Sequence, residues 1–188
     1  REWAVPGDFS SAACWIVAAA ARPGAALSLP KVGLNPRRTA LLRVLERMGA
    51  QIELEVQPGP GEPIGTLHIQ GTRLTGTSVD ESEIANLIDE LPLLAAAGAL
   101  ADGLTEIRNA AELRVKESDR IASTVKNLAA VGVQVEELPD GMLVTGPARI
   151  AAKGPIDSFG DHRIAMMMSI LALSAEGPLE VHDIACVD

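Results

Sequence analysis

Three stretches of the chain repeat one pattern: a polar cap, a helix of small apolar residues, a glycine, then a strand-like run. They are GDFSSAACWIVAAAARPGAALSL (7–29), LIDELPLLAAAGALADGLTEIRN (87–109) and FGDHRIAMMMSILALSAEGPLEVHDI (159–184), with Gly24, Gly103 and Gly177 at the common point. A second pattern lies between them. NPRRTALLRVLERMGAQIEL (35–54) and ESDRIASTVKNLAAVGVQVEEL (117–138) align Gly49 over Gly132, each an amphipathic helix closed by glycine and followed by a strand. The unit is strand, helix, strand, helix, strand, strand, about 80 residues long. A helix that is apolar all round must lie inside, whereas one with a polar face can meet water. The pattern therefore predicts an α/β fold of βαβαββ repeats, with buried helices and sheets facing outward. In QIELEVQPGPGEPIGTLHIQG two strand-like pieces flank PGPGEP, which marks a loop, and Met48 to Gln57 is the expected domain crossing.

Composition narrows the class. With 188 residues, 47% hydrophobic and 22% charged, the chain can bury one large or two small cores. The longest Ala-rich stretches are too short to span a bilayer, so no membrane insertion is expected. REWAVPGDFSS lacks Met, a basic n-region and an apolar h-region, and HDIACVD stops just after a strand-like run. Both ends read as truncated. Cys14 and Cys186 lack metal or redox spacing and are expected as buried free thiols of a reducing cytosol. A net charge of −9 argues against a nucleic-acid surface, so any anion site must be local.

Three places could carry chemistry. In ELRVKESDRI, a helix beginning near Lys116 would put Lys116 and Arg120 on one face, where like charges repel. Glu112, Glu117 and Asp119 could relieve this in a lattice of ion pairs, or an external anion could do so. In GDHRIAMMM, Asp161 is the expected N-cap and Arg163 falls in the first turn, against the helix dipole unless an anion or a carboxylate pairs with it. His162 reads as a structural group and Met166 to Met168 as core filler. In LIDELPLL, Asp89 and Glu90 precede Pro92, where one acid is expected as cap, while a carboxylate beside a buried helix could also serve as acid or base. Ser10 and Ser11 pose the same choice between a cap and a phosphate contact. In NPRRT, Asn35 is the expected cap and Pro36 the first helical position, with Arg37 and Arg38 on the surface.

Taken in order and spacing, GDFSSAACW, NPRRTALLRVLERMGA, LIDELPLLAAA, ELRVKESDRI and FGDHRIAMMM closely resemble the 5-enolpyruvylshikimate-3-phosphate synthase family. RVKESDR and DHRIAM are the specific signals, and the resemblance covers the whole chain but less than half of the family's length. It implies the enolpyruvyl transferase fold, with substrates in a cleft between two domains. Residues 1–50 would be the end of the N-terminal domain and 51–188 most of the C-terminal one. The implied reaction moves the enolpyruvyl group of phosphoenolpyruvate to the 5-hydroxyl of shikimate 3-phosphate, by addition and elimination, without metal or organic cofactor. The resemblance implies that Glu117 moves the proton at the phosphoenolpyruvate methylene and Asp89 is the acid/base at the 5-hydroxyl. Arg120 and Arg163 would hold phosphoenolpyruvate, with Lys116, Asp89 and Ser11 on shikimate 3-phosphate. Neighbouring cations lower a carboxylate's pKa, so Glu117 needs burial or substrate charge to act as an acid. Further substrate-binding lysine, arginine, serine and glutamine residues of the family lie outside residues 1–188. The isolated chain is therefore expected to be inactive, with its missing N-terminal portion as partner in a monomeric enzyme of the bacterial cytoplasm. The alternatives are a relative acting on UDP-N-acetylglucosamine and a non-catalytic module that binds phosphorylated ligands.

Overall fold

The computed structural model describes residues 5–57 and 61–187, so Pro58 to Pro60, the start of the expected PGPGEP loop, lie outside the described residues. The first repeat comprises α1 (Phe9–Ala20), β1 (Ala26–Gly33), α2 (Ala40–Arg47), β2 (Gln51–Gln57) and β3 (Ile64–Gln70). The second comprises α3 (Glu81–Ile84), α4 (Leu91–Leu100), β4 (Gly103–Ile107), α5 (Arg120–Ala130), β5 (Gln134–Leu138) and β6 (Gly141–Gly146). The third holds β7 (Ile156–Asp157), α6 (His162–Ala172) and β8 (Val181–His182).

Each apolar helix is the crossover between two parallel segments, the connection that parallel pairing requires. Gly7 pairs with Val32 around α1, Thr75 with Asp102 and Ser78 with Glu106 around α4, and β7 with β8 around α6. The amphipathic helices then lead into antiparallel hairpins, so the sheets run β1-β3-β2 and β4-β6-β5, the same order twice. The central strand β3 alternates, with Leu67 and Ile69 buried and Thr66 and His68 half-exposed between them. Its cross-strand partners extend the apolar rungs: Leu27 and Ile52 flank Ile69, and Leu29 and Leu54 flank Leu67. Such pairs give each sheet one apolar face, and α1, α4 and α6 pack against one another beneath. Among the described residues no helix is long and apolar enough to cross a membrane.

The helices are not equally enclosed. Leu91 to Ala99 of α4 are all buried, whereas α1 turns Ser11 and Trp15 outward and α6 turns Ser169 outward. Across residue 50 the chain is continuous in its pairing: β1, from before it, pairs along β3, from after it, and a single apolar core includes residues from both sides. The structure departs from the sequence reading at helix starts. Asn35 to Arg38 form a turn, closed by the Arg38 amide on the Asn35 carbonyl, and α2 begins only at Ala40. A 3-10 turn over Ala111–Val115 and a bend at 116–118 precede α5, so Lys116 and Arg120 do not share a helix face. Asp8, not a serine, caps α1, accepting from the Ser11 amide. Cys14 is buried, but Cys186 is partly exposed.

The repeat also sets a backbone feature that hydrophobicity does not reveal. Lys31 within β1, Asn109 just past β4 and Asp183 just past β8 lie in the left-handed region, with φ of 59, 59 and 55 degrees. Asn and Asp are the side chains that tolerate it best, while Lys31 adopts it at a cost of about 1 kcal/mol. Gly24 and Gly103 share φ of 83 and 101 degrees at the strand entrances. Gly177, at the corresponding place in the third repeat, does not have a positive φ.

Candidate functional site

Arg120 opens α5, whose N-cap Asp119 accepts from the Ala122 amide. Its side chain does not reach for water: it is 1% exposed and meets three carboxylates. Nε donates to Asp161 Oδ2 at 2.8 Å, and Nη2 donates to Glu117 Oε2 at 2.6 Å. Nη1 donates to Asp89 Oδ1 at 3.2 Å. Asp161 is fully buried and caps α6, as the sequence predicts, taking the Arg163 amide at 2.9 Å and the Ser118 hydroxyl at 3.1 Å besides Arg120. Burial pushes its carboxyl up, but the Arg120 hydrogen bond, the Arg163 amide and the guanidinium charge outweigh that and hold it below the usual carboxylate range.

The guanidinium thus has two unlike sides. Asp161 is out of water, and removing one member of such a pair costs about 3–5 kcal/mol. The Asp89 and Glu117 side chains are 38% and 52% exposed, and ion pairs in that setting contribute about 0–1 kcal/mol. An incoming anion can therefore take the place of Glu117 and Asp89 on Arg120 while Asp161 keeps the guanidinium in place. Arg163, in the first turn of α6, stands beside them. Its Nη1 donates to the Asp89 carbonyl at 3.1 Å, and its Nη2 lies 3.4 Å from Asp89 Oδ2.

Four of the six expected residues, Asp89, Glu117, Arg120 and Arg163, thus meet in one cluster. Lys116 adjoins it in sequence, but its ammonium is turned to Glu112 at 2.7 Å. Ser11 is exposed, with its hydroxyl on Asp8 at 3.0 Å, and it shares with Arg163, His162, Asp8, Ser10 and Met166 a cavity of about 90 Å³. The ion-pair lattice anticipated for ELRVKESDRI is present too, as Glu112 with Lys116, Asp119 with Arg114 and Glu117 with Arg120.

Sequence reasoning missed Glu90, Arg38 and the second role of Asp161. Glu90 stands at the N-cap of α4 without capping it, and burial pushes its carboxyl up against the hydrogen bond from Ser10 and the charge of Arg163. Arg38 is drawn to the Ser10 hydroxyl at 2.9 Å and to Asp8 at 3.7 Å. An acid at a helix start reads as a cap whatever it does across the fold, so no local signal separates these roles.

Comparison with known proteins gives a consistent picture. The family described as EPSP synthase (3-phosphoshikimate 1-carboxyvinyltransferase) matches residues 1–188. The 3-phosphoshikimate 1-carboxyvinyltransferase of Akkermansia muciniphila is 51% identical over 189 residues, covering 98% of this chain and 43% of that protein. The protein of the same name from Acaryochloris marina is 48% identical over 179 residues, covering 95% of this chain and 40% of its own length. Among solved structures, EPSP synthase from Acinetobacter baumannii superimposes with a TM-score of 0.90 at 39% identity, over 97% of this chain and 43% of that one. The enolpyruvyl transferase NikO from Streptomyces tendae shares the fold, with a TM-score of 0.69 at 19% identity over 97% of this chain and 40% of its own. The chain spans less than half the length of the relatives it matches.

Proposed function

The chain belongs to the EPSP synthase family, and from that premise we propose that it is the C-terminal portion of an enzyme transferring the enolpyruvyl group of phosphoenolpyruvate to the 5-hydroxyl of shikimate 3-phosphate. The observation that carries the reading is Arg120, fixed by buried Asp161 on one side and faced on the other by displaceable Glu117 and Asp89, with Arg163 adjoining. Phosphoenolpyruvate binds across Arg120 and Arg163 and displaces the acids from the guanidinium. Glu117, released from Arg120 beside the bound anion, takes up a proton from solvent and passes it to the methylene carbon, making the neighbouring carbon electrophilic. Asp89 takes the proton of the attacking 5-hydroxyl, and loss of phosphate with return of the methylene proton restores the enol group. Lys116 turns from Glu112 toward the acceptor, which Ser11 contacts on the far side of Arg163.

The substrates lie where this chain meets the rest of its parent, a monomeric enzyme of the bacterial cytoplasm, so the isolated chain has no turnover. A relative acting on UDP-N-acetylglucosamine and a non-catalytic binding module are not favoured, because the matched relatives carry the 3-phosphoshikimate name. The test is phosphate release from the two substrates by this chain alone and mixed with the missing portion. Activity only in the mixture is expected. Association without phosphate release, or an active full-length parent unaffected by Glu117→Gln, overturns the proposal.

A further inference from the structure

Glu90 breaks a local rule. An acid at the N-cap ordinarily turns back onto the free amides of its own helix. The Glu90 side chain makes no such bond to α4. It is instead 5% exposed and reaches across the fold, where Oε1 accepts from the Ser10 hydroxyl at 2.5 Å. Ser10, itself buried, accepts from Arg38 Nη2 at 2.9 Å. The same Glu90 oxygen stands 3.5 Å from Arg163 Nη1. A single carboxylate therefore links the starts of α1, α4 and α6 with the turn ahead of α2.

The adjacent acid is held differently. Asp89 also faces Arg163, at 3.4 Å, but its side chain is 38% exposed and is shared with Arg120. On the proposed reaction, which this inference builds on, Asp89 must turn to the acceptor hydroxyl, and Arg163 then keeps from that residue only the backbone carbonyl. Something else must hold the guanidinium while Asp89 is engaged. We propose that Glu90, locked by Ser10 and Arg38, is the positioning residue that keeps Arg163 aimed at the phosphoenolpyruvate anion when Asp89 leaves it. Two neighbouring carboxylates divide the work: one is free to move a proton, and the other is fixed so that the anion clamp does not follow it.

The test is steady-state kinetics on the full-length parent carrying Glu90→Ala, Glu90→Gln or Ser10→Ala. A small displacement of a binding group can cost up to about a hundredfold, and loss of one of several anchors is expected to cost less. Glu90→Ala should raise KM for phosphoenolpyruvate about tenfold, leaving KM for shikimate 3-phosphate and kcat within about twofold. Glu90→Gln, which keeps the acceptor for Ser10, should recover most of that loss. A merely structural residue would instead lower the amount of folded enzyme without separating the two KM values. Equal KM values for phosphoenolpyruvate in wild type and folded Glu90→Ala overturn the inference. If Glu90→Ala does not fold, Ser10→Ala decides, with a rise of about threefold expected and no change overturning it. A wild-type parent that turns over neither substrate defeats the proposed reaction instead. Calorimetric titration with inorganic phosphate then judges Glu90 by itself: weaker binding in Glu90→Ala supports the positioning role, and equal or absent binding in both proteins overturns it.

Discussion

Replacing Asp161 by alanine removes the inner partner of Arg120 and leaves a guanidinium that is 1% exposed. Arg120 loses the 2.8 Å bond from Nε and the 3.4 Å contact from Nη2, while Ser118 loses its acceptor and α6 its cap. Breaking one side of a buried pair costs about 3–5 kcal/mol, with the lost cap making up about 1 kcal/mol of it. Glu117 and Asp89 remain, but as half-exposed partners each offsets at most about 1 kcal/mol. The expected loss near neutral pH is therefore about 3 kcal/mol, or on the order of 10 °C in Tm for a chain of this size. Urea unfolding followed by circular dichroism measures it. The depressed carboxyl also fixes a pH dependence: its stabilisation is present above the unfolded value of 3.8 and is lost as pH falls through the lower folded value. The gap between wild type and Asp161→Asn must accordingly narrow in acid. A loss below about 1 kcal/mol for Asp161→Ala at pH 7, or a gap that does not narrow, would refute the picture of a fixed inner side. Removing both charges as Arg120→Met with Asp161→Leu should cost less than Asp161→Ala alone, since no charge is then left buried and unpaired.

Glu90 should show the opposite linkage: its raised carboxyl stabilises fully below the unfolded value of 4.5, and the benefit is lost as pH rises through the folded value. Glu90→Gln should therefore gain on wild type between pH 4 and pH 7 in thermal unfolding, and a constant difference would contradict the assignment. The Cys14 thiol, pushed up to about 11 chiefly by burial, should resist a thiol reagent at pH 8 while partly exposed Cys186 reacts, so one label per native chain is expected and two after denaturation. Gly141→Ala should be costly, about 3 kcal/mol, because a Cβ there would collide with the Ile107 carbonyl oxygen. Gly24→Ala meets no atom and carries only the left-handed penalty of about 1 kcal/mol. Chemical denaturation of the two variants checks the order.

The repeated helices were legible because their signal is local: apolar periodicity, a cap and a closing glycine fall within one window. Asp161 shows how far this reaches, since its place at the head of α6 is readable from GDHRIA while its bond to Arg120 spans 41 residues. Glu117 stands three residues before Arg120 within ELRVKESDRI, but that Asp89 and Asp161 also stand around Arg120 is a matter of how α4, α5 and α6 pack. The pairing of β1 with β3 across residue 50 was illegible for a related reason. Turn residues report the local path, whereas the pairing of β1 with β3 depends on which strand fills the middle of the sheet. Lys31 was illegible in another way: a left-handed residue announces itself only when it is Gly, Asn or Asp.

The bundle at the centre has a consequence for how the chain reaches its native state. α1, α4 and α6 come from three separate stretches of sequence, so their contacts require the chain between them to close on itself. Contacts of such long sequence separation carry a large loop entropy before they return any stabilisation, which slows folding. The β2–β3 and β5–β6 hairpins, whose strands are adjacent in sequence, can form early, with the helical bundle locking last. The cluster around Arg120, which joins the starts of α4, α5 and α6, can form only once those helices have packed.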